Sequence, residues 1–332
     1  MIGRPSLATA FLHGARVLTA RAAPCDSGCL TPGPSRREFS GKPKPMTSTR
    51  PARAPAELVG EIDARSRKAT TGFNGGGSMH WRVWGNGPAL VLLHGGYGSW
   101  RHYLRNIEPL SRDFTVVVPD MPGFGDSDPP PAAASVDWMA ETVAAGARRV
   151  LGPGVDFAVV GFSFGSVISS HMPAFADGRM RQLVVVAYNR LGLWELRRPA
   201  MRNWRKAGTR EELEAAQRFN LGSLLIHDPG RIDDLAVYLQ IENTRRARVR
   251  SLDVARSHDL PARLQGAAIP VAAIWGEHDV TLVTGIADAT AAFARLMPGA
   301  PMVAIDGAGH WVQYEAADAF NRAVRDLATV PR

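Results

Sequence analysis

Val159-Val160-Gly161-Phe162-Ser163-Phe164-Gly165-Ser166 decides the fold. The apolar run Phe157–Val160 leads into Gly-x-Ser-x-Gly, and a helical pattern opens directly after it. A serine flanked in this way fits a sharp strand-to-helix turn, strained enough to hold the hydroxyl clear of the backbone. The two glycines leave room where strand and helix crowd together. The helix N-terminus favours negative charge developing beside the serine. The bare pattern also fits a serine that only caps a helix. Its strand–turn–helix setting favours Ser163 as a nucleophile.

Outward from this turn, short apolar runs recur from Met79 onward and alternate with helical patterns. The spacing predicts strands at His80–Trp84, Ala89–Leu93, Phe114–Val118, Phe157–Val160, Leu183–Ala187, Val271–Trp275 and Met302–Ile305. It predicts helices near 100–111, 136–150, 164–175, 284–297 and 315–328. The later runs are continuous rather than alternating, which suits strands covered on both faces. Strand and helix in alternation imply an α/β fold with a mostly parallel sheet. Residues 191–263 break the alternation with many Arg and Glu and no convincing strand. They read as a helical cap inserted between core segments 56–190 and 264–332, over the sheet edge where open α/β folds bind ligands.

Composition narrows the function classes. The chain has 332 residues, 45% of them hydrophobic, so it can bury a sizeable core. No run of 18 apolar residues exists, which argues against a membrane-spanning helix. Residues 1–55 carry nine Lys/Arg against two acids, +7 of the total +8, leaving +1 for the rest. A nearly neutral folded region argues against nucleic-acid binding. The basic, Pro- and Ser-rich stretch 1–55 reads as a disordered tail. Its Arg-rich, acid-poor character fits a transit peptide, and equally a translation start at Met46. Leu7–Leu12 is too short for a signal-peptide core, so the cytoplasm is the expected location. Cys25 and Cys29 are the only cysteines, which excludes a disulfide framework elsewhere.

A serine hydroxyl needs a base. Among nine histidines, His310 in Ile305-Asp306-Gly307-Ala308-Gly309-His310-Trp311 follows a late apolar strand across a glycine-rich turn. An acid must orient that base. Asp279, just past the run ending at Trp275, is the first choice, with Glu277 as the alternative. The place after Leu183–Ala187 holds Tyr188 and Asn189 and offers no carboxylate. Oxyanion donors are expected from the Phe164 N–H and from Gly96 N–H in Leu92-Leu93-His94-Gly95-Gly96-Tyr97-Gly98.

The chain resembles the α/β-hydrolase superfamily. The matching pieces are His94-Gly95-Gly96-x-Gly98, Asp120-Met121-Pro122-Gly123-Phe124-Gly125-Asp126-Ser127, Gly161–Gly165, Gly276–Asp279 and Gly309-His310. The order Ser163, Asp279, His310 is that of the superfamily. The resemblance implies an eight-stranded sheet with one antiparallel strand, helices on both faces, a nucleophile elbow and a lid. Dehalogenases and epoxide hydrolases of this fold carry aspartate at the elbow, so Ser163 points away from both.

Within the superfamily, Gly309-His310-Trp311-Val312-Gln313-Tyr314-Glu315 and Tyr103-x-Arg105-Asn106-Ile107-x-Pro109 are similar to meta-cleavage-product hydrolases. Those enzymes cleave a carbon–carbon bond in 2-hydroxy-6-oxo-dienoates. They usually place Asn before the nucleophile, where this chain has Phe162, and hold the substrate carboxylate with a cap arginine. Arg245, Arg246, Arg248 and Arg250 supply either such an anchor or a solvated helix face.

The expected function is hydrolysis of a medium-sized, largely apolar small-molecule acyl substrate, by ester or C–C cleavage. Phe162, Phe164, Trp100, Trp311 and Trp194 are candidate pocket walls. A slow-turnover ligand sensor and a haloperoxidase-like perhydrolase use the same three residues and stay open, as does a homo-oligomer. No metal-ligand cluster, P-loop or dinucleotide fingerprint is found, so no cofactor or metal is expected.

Overall fold

The apolar runs become the strands of one sheet. A computed structural model of the chain describes residues 53–188, 199–254 and 260–328. Most of the basic stretch at the N-terminus, and Trp194, lie outside the described residues. The strands are β1 (Arg67–Gly72), β2 (Ser78–Trp84), β3 (Ala89–Leu93), β4 (Thr115–Pro119), β5 (Phe157–Phe162), β6 (Met180–Val186), β7 (Val271–Gly276) and β8 (Met302–Ile305). Their order across the sheet is β1-β2-β4-β3-β5-β6-β7-β8. Only β2 runs against its neighbours. This is the eight-stranded, mostly parallel sheet with one reversed strand that the motifs imply.

The helices are α1 (Pro55–Ala64), α2 (Leu104–Leu110), α3 (Val136–Leu151), α4 (Phe164–His171), α5 (Arg210–Asn220), α6 (Asp234–Arg245), α7 (Ser251–Val254), α8 (Leu260–Gln265), α9 (Ile286–Leu296), α10 (Val312–Glu315) and α11 (Ala317–Leu327). Every residue of β3, β5 and β7 is buried, as continuous apolar strands between two helical layers should be. Capping sets the helix ends. Ser135 accepts the Trp138 N–H at 3.1 Å to start α3, and Gly152 at φ 95° stops it.

Two elements that the apolar runs did not predict, α1 and β1, precede the first predicted strand within the core segment that begins at residue 56; β1 is an edge strand of mostly exposed polar residues and carries no apolar run. The helix expected over 164–175 stops at His171, and Met172–Phe175 continues as a 3-10 turn because Pro173 lacks an N–H donor. The helix expected near 315–328 is α11, and the short α10 precedes it across Ala316 (φ −124°, ψ 53°).

Between β6 and β7 the described residues form helices and turns without a strand. Thr209 and Glu212 form a capping box at the start of α5. Asp233 caps α6 by accepting the Ala236 N–H at 2.8 Å. Arg246, just past α6, pairs with Asp126 at 2.7 Å. Buried Arg82 on β2 pairs with that same Asp126, with Asp120 and with Asp63 of α1. Burial disfavours the Asp126 charge, yet the Arg82, Arg101 and Arg246 cations hold its carboxyl below the ordinary value.

Candidate active site

The C-terminal ends of β3, β5, β7 and β8 carry the functional turns. Ser163 joins β5 to α4 with φ 51° and ψ −110°. A non-glycine residue held there stores about 1–3 kcal/mol of strain, so its surroundings must over-determine it. They do so by sterics. A Cβ added at Gly165 would strike the carbonyls of Leu93 and His94, and one at Gly161 would strike Ser169 Oγ and the Gly165 carbonyl. Ser163 N–H donates to the Val186 carbonyl at 2.9 Å. Ser166 Oγ donates to the Gly161 carbonyl at 2.5 Å and lies 2.9 Å from the Val186 carbonyl.

His310 Nε2 lies 3.0 Å from Ser163 Oγ, and its Nδ1 lies 2.8 Å from Asp279 Oδ2. A carboxylate only accepts, so Nδ1 carries the proton and Nε2 is left to accept from the serine hydroxyl. Asp279 and His310 are both buried. The other Asp279 oxygen, Oδ1, accepts from Thr281 N–H at 2.9 Å and Thr281 Oγ1 at 2.7 Å. The alternative acid faces elsewhere: Glu277 is exposed, accepts the Gly307 N–H at 3.0 Å and lies 3.4 Å from His278.

The Gly96 loop sits beside this chain of hydrogen bonds. A Cβ added at Gly96 would approach Phe164 Cβ to 3.8 Å, so the Gly96 backbone lies against the start of α4. Neither the Gly96 nor the Phe164 N–H has a hydrogen-bond partner among the described residues. His94 and His102 brace the loop. His94 Nδ1 meets the Gly95 carbonyl at 2.8 Å and its Nε2 accepts the Met121 N–H at 3.0 Å. His102 Nδ1 accepts the Gly95 N–H at 3.2 Å. Burial lowers both imidazoles from the ordinary histidine value; His94 and His310 push His102 further, well below it.

The aromatic residues expected to wall a pocket are placed differently. Trp100 is fully buried against Trp84, under the guanidinium groups of Arg82 and Arg101. Trp311 is fully buried, stacks on Tyr314 and donates its indole N–H to the His102 carbonyl at 3.0 Å. Both are core, because their faces and edges are already covered. Phe162 is buried too, with its ring centroid 5.2 Å from His310 and 5.6 Å from His102. Phe164 is nearly buried against Phe124. Of the cap arginines, Arg246 and Arg248 are tied to the core, whereas Arg245 and Arg250 are largely exposed, as a solvated face would be. Arg246 holds Asp126 and Glu242, and Arg248 donates to the Gly125 and Ser127 carbonyls. Arg245 lies 3.6 Å from Glu242, and Arg250 3.9 Å from Asp253.

Four residues at the site escaped the sequence reading: Thr281, His102, Ser251 and Glu315. Buried Ser251 of α7 packs on Gly96. Buried Glu315 accepts the N–H groups of Gly309 at 2.7 Å, His227 at 3.0 Å and Asp228 at 2.7 Å. Thr281 had a local signal, two residues after a carboxylate. The others depend on residues far away in the chain. Among the described residues no group of three or more His, Cys, Asp or Glu could hold a metal ion. No helix among them is long and apolar enough to cross a membrane.

A family model described as the alpha/beta hydrolase fold matches residues 88–317. The chain is 26% identical over 278 residues to a dihydrolipoyllysine-residue acetyltransferase component of an acetoin cleaving system from Cupriavidus necator, covering 82% of this chain and 71% of that one. It is 27% identical over 271 residues to a 2-hydroxy-6-oxo-6-phenylhexa-2,4-dienoate hydrolase from Burkholderia cepacia, covering 75% and 90%. It is 34% identical over 111 residues to a pimeloyl-[acyl-carrier protein] methyl ester esterase from Vibrio parahaemolyticus. That last match spans 33% of this chain and 40% of the esterase.

Proposed function

Since the chain belongs to the α/β-hydrolase fold family, we propose that it is a serine hydrolase cleaving esters of medium-sized, largely apolar acyl groups. The observation that carries this reading is the run of hydrogen bonds from Ser163 Oγ through His310 to Asp279, at 3.0 and 2.8 Å. In the first step Ser163 Oγ attacks the acyl carbonyl while His310 Nε2 takes the hydroxyl proton. The carbonyl oxygen becomes an oxyanion, held by the amides of Gly96 and Phe164; each donor of this kind is worth about 10²–10³ in rate. His310 then gives its proton to the departing alkoxide, leaving an acyl group on Ser163. Water, deprotonated by the same imidazole, attacks that acyl group and releases the acid. Asp279 keeps Nδ1 protonated and stabilises the imidazolium in both halves.

Two features favour an ester over a dienoate. Meta-cleavage enzymes carry a polar Asn before the nucleophile, whereas Phe162 fills that position here with an apolar ring against His310. The cap arginines that would hold a substrate carboxylate already bind Asp126, Glu242 and loop carbonyls. The test compares initial rates on p-nitrophenyl butyrate and on a 2-hydroxy-6-oxo-dienoate, with Ser163→Ala as the blank for both. Ester cleavage without loss of the dienoate chromophore is expected. Fast dienoate loss would instead make the protein a carbon–carbon hydrolase, and activity that survives in Ser163→Ala would remove the serine from the mechanism.

A further inference from the structure

We propose that the Glu315 carboxylate is a positioning residue for His310 and that it couples the cap to this imidazole; the proposal rests on the serine-hydrolase reading above. His310 is bracketed by two tethers. On one side Gly309 N–H donates to Glu315 Oε2 at 2.7 Å. On the other, Trp311 N–H donates to the Leu225 carbonyl at 2.7 Å. Both tethers lead to one segment of the region between β6 and β7. Glu315 Oε2 also accepts the His227 N–H at 3.0 Å, and Oε1 accepts the Asp228 N–H at 2.7 Å. Segment 225–228 is thus sewn to Trp311 and Glu315 by three hydrogen bonds, and Glu315 to Gly309 by a fourth. The fit is close: a Cβ added at Gly309 would come within 2.8 Å of His227 N and 3.1 Å of the Leu225 carbonyl.

Glu315 has no ion-pair partner among the described residues, although it is buried. Its three N–H donors supply partial charges only. Glu315 therefore fixes the backbone on which the imidazole rides. The titratable groups around this junction are Asp279, His278 and Glu277 on the turn after β7, His102 behind the imidazole, and His227 and Asp228 on the cap side. His227 and His278 stack at 3.9 Å between centroids, across the same seam. Any displacement of segment 225–228 pulls on Gly309 and Trp311, the two neighbours of His310 in the chain.

The test uses the full chain and two variants. Glu315→Gln keeps the shape and removes the charge. Glu315→Asp keeps the charge and shortens the reach. Rates on p-nitrophenyl butyrate are followed against pH, with thermal melts to confirm folding and a fluorophosphonate probe to label Ser163. For Glu315→Gln, kcat falls about tenfold to a hundredfold with little change in KM. For Glu315→Asp, kcat falls less than for Glu315→Gln. A purely structural role would lower the thermal midpoint with no split between kcat and KM. A folded Glu315→Gln with wild-type kcat overturns the proposal; should that variant not fold, a Glu315→Asp with wild-type kcat does so. If the probe does not label Ser163 in the wild-type protein, the serine-hydrolase reading fails first.

Discussion

The elbow at Ser163 and the turn at His310 reach the same 3.0 Å contact from opposite directions. The elbow is held mainly by backbone sterics: Gly161 to Gly165 pack against one another and against the carbonyls of Leu93 and His94, with one backbone hydrogen bond from Ser163 to Val186. The histidine turn is held by polar groups borrowed from three places: Asp279 and Thr281 after β7, Glu315 on α10, and residues 225–228 between β6 and β7. A motif held by its own backbone can be read from a line of sequence. A residue held by distant carboxylates shows only its identity there, without its supports.

This contrast can be broken from either side. The largest effect is on chemistry. Ser163→Ala should lower kcat/KM by about 10⁴–10⁶ while the thermal midpoint stays close to wild type, since the φ of 51° remains unfavourable for any side chain with a Cβ. Retained activity would place the nucleophile elsewhere. Next comes the steric side. Gly165→Ala should cost about 3 kcal/mol of stability, or prevent folding, by driving a methyl group into the carbonyls of Leu93 and His94. A urea midpoint unchanged from wild type would show that the elbow tolerates what the geometry forbids.

The polar side should respond in a graded way. Thr281→Val removes one hydroxyl donor from Asp279 Oδ1 and keeps the backbone one. A charge-assisted hydrogen bond is worth about 1.5 kcal/mol, so kcat/KM should fall about tenfold. Thr281→Ser should recover most of the loss, and equal activity in the Val and Ser variants would sharpen the site to Asp279 alone. A comparable effect falls on stability against pH rather than on rate. His94 and His102 are held below the ordinary value of about 6.5 in the folded chain, chiefly by burial. The unfolded chain therefore binds more protons as the pH drops below about 6.5. Stability is full above that value and is lost as pH falls toward the folded-state values, by up to about 1.4 kcal/mol per pH unit for each histidine. Urea titrations at pH 7.5 and 5.5 test this; equal stabilities would show that both imidazoles take up protons in place.

The same contrast explains what was legible. Strands β3, β5 and β7 were readable because burial on both faces demands unbroken apolar runs; β8, at the far edge and only partly buried, was readable from its short apolar run. Edge strand β1, Arg-Lys-Ala-Thr-Thr-Gly, faces solvent along one side and has no such demand. The three residues of the hydrogen-bonded chain at the site were legible through short motifs at strand ends. Trp100 and Trp311 were misplaced because an aromatic residue beside a motif looks the same whether it lines a pocket or backs the core. Only the stacking on Trp84 and on Tyr314 separates the two cases. Glu315 stood within a recognised motif, but its three partners lie at Gly309, His227 and Asp228, and no local pattern announces them.

The central claim is that Ser163 is a nucleophile activated by His310. Peptide mapping by mass spectrometry, after treatment with a fluorophosphonate probe, tests it most directly. One adduct is expected, on Ser163, formed rapidly in the wild-type protein and slowed by orders of magnitude in His310→Ala. An adduct on another residue, or labelling of Ser163 as fast without the imidazole as with it, would show that His310 does not activate this serine.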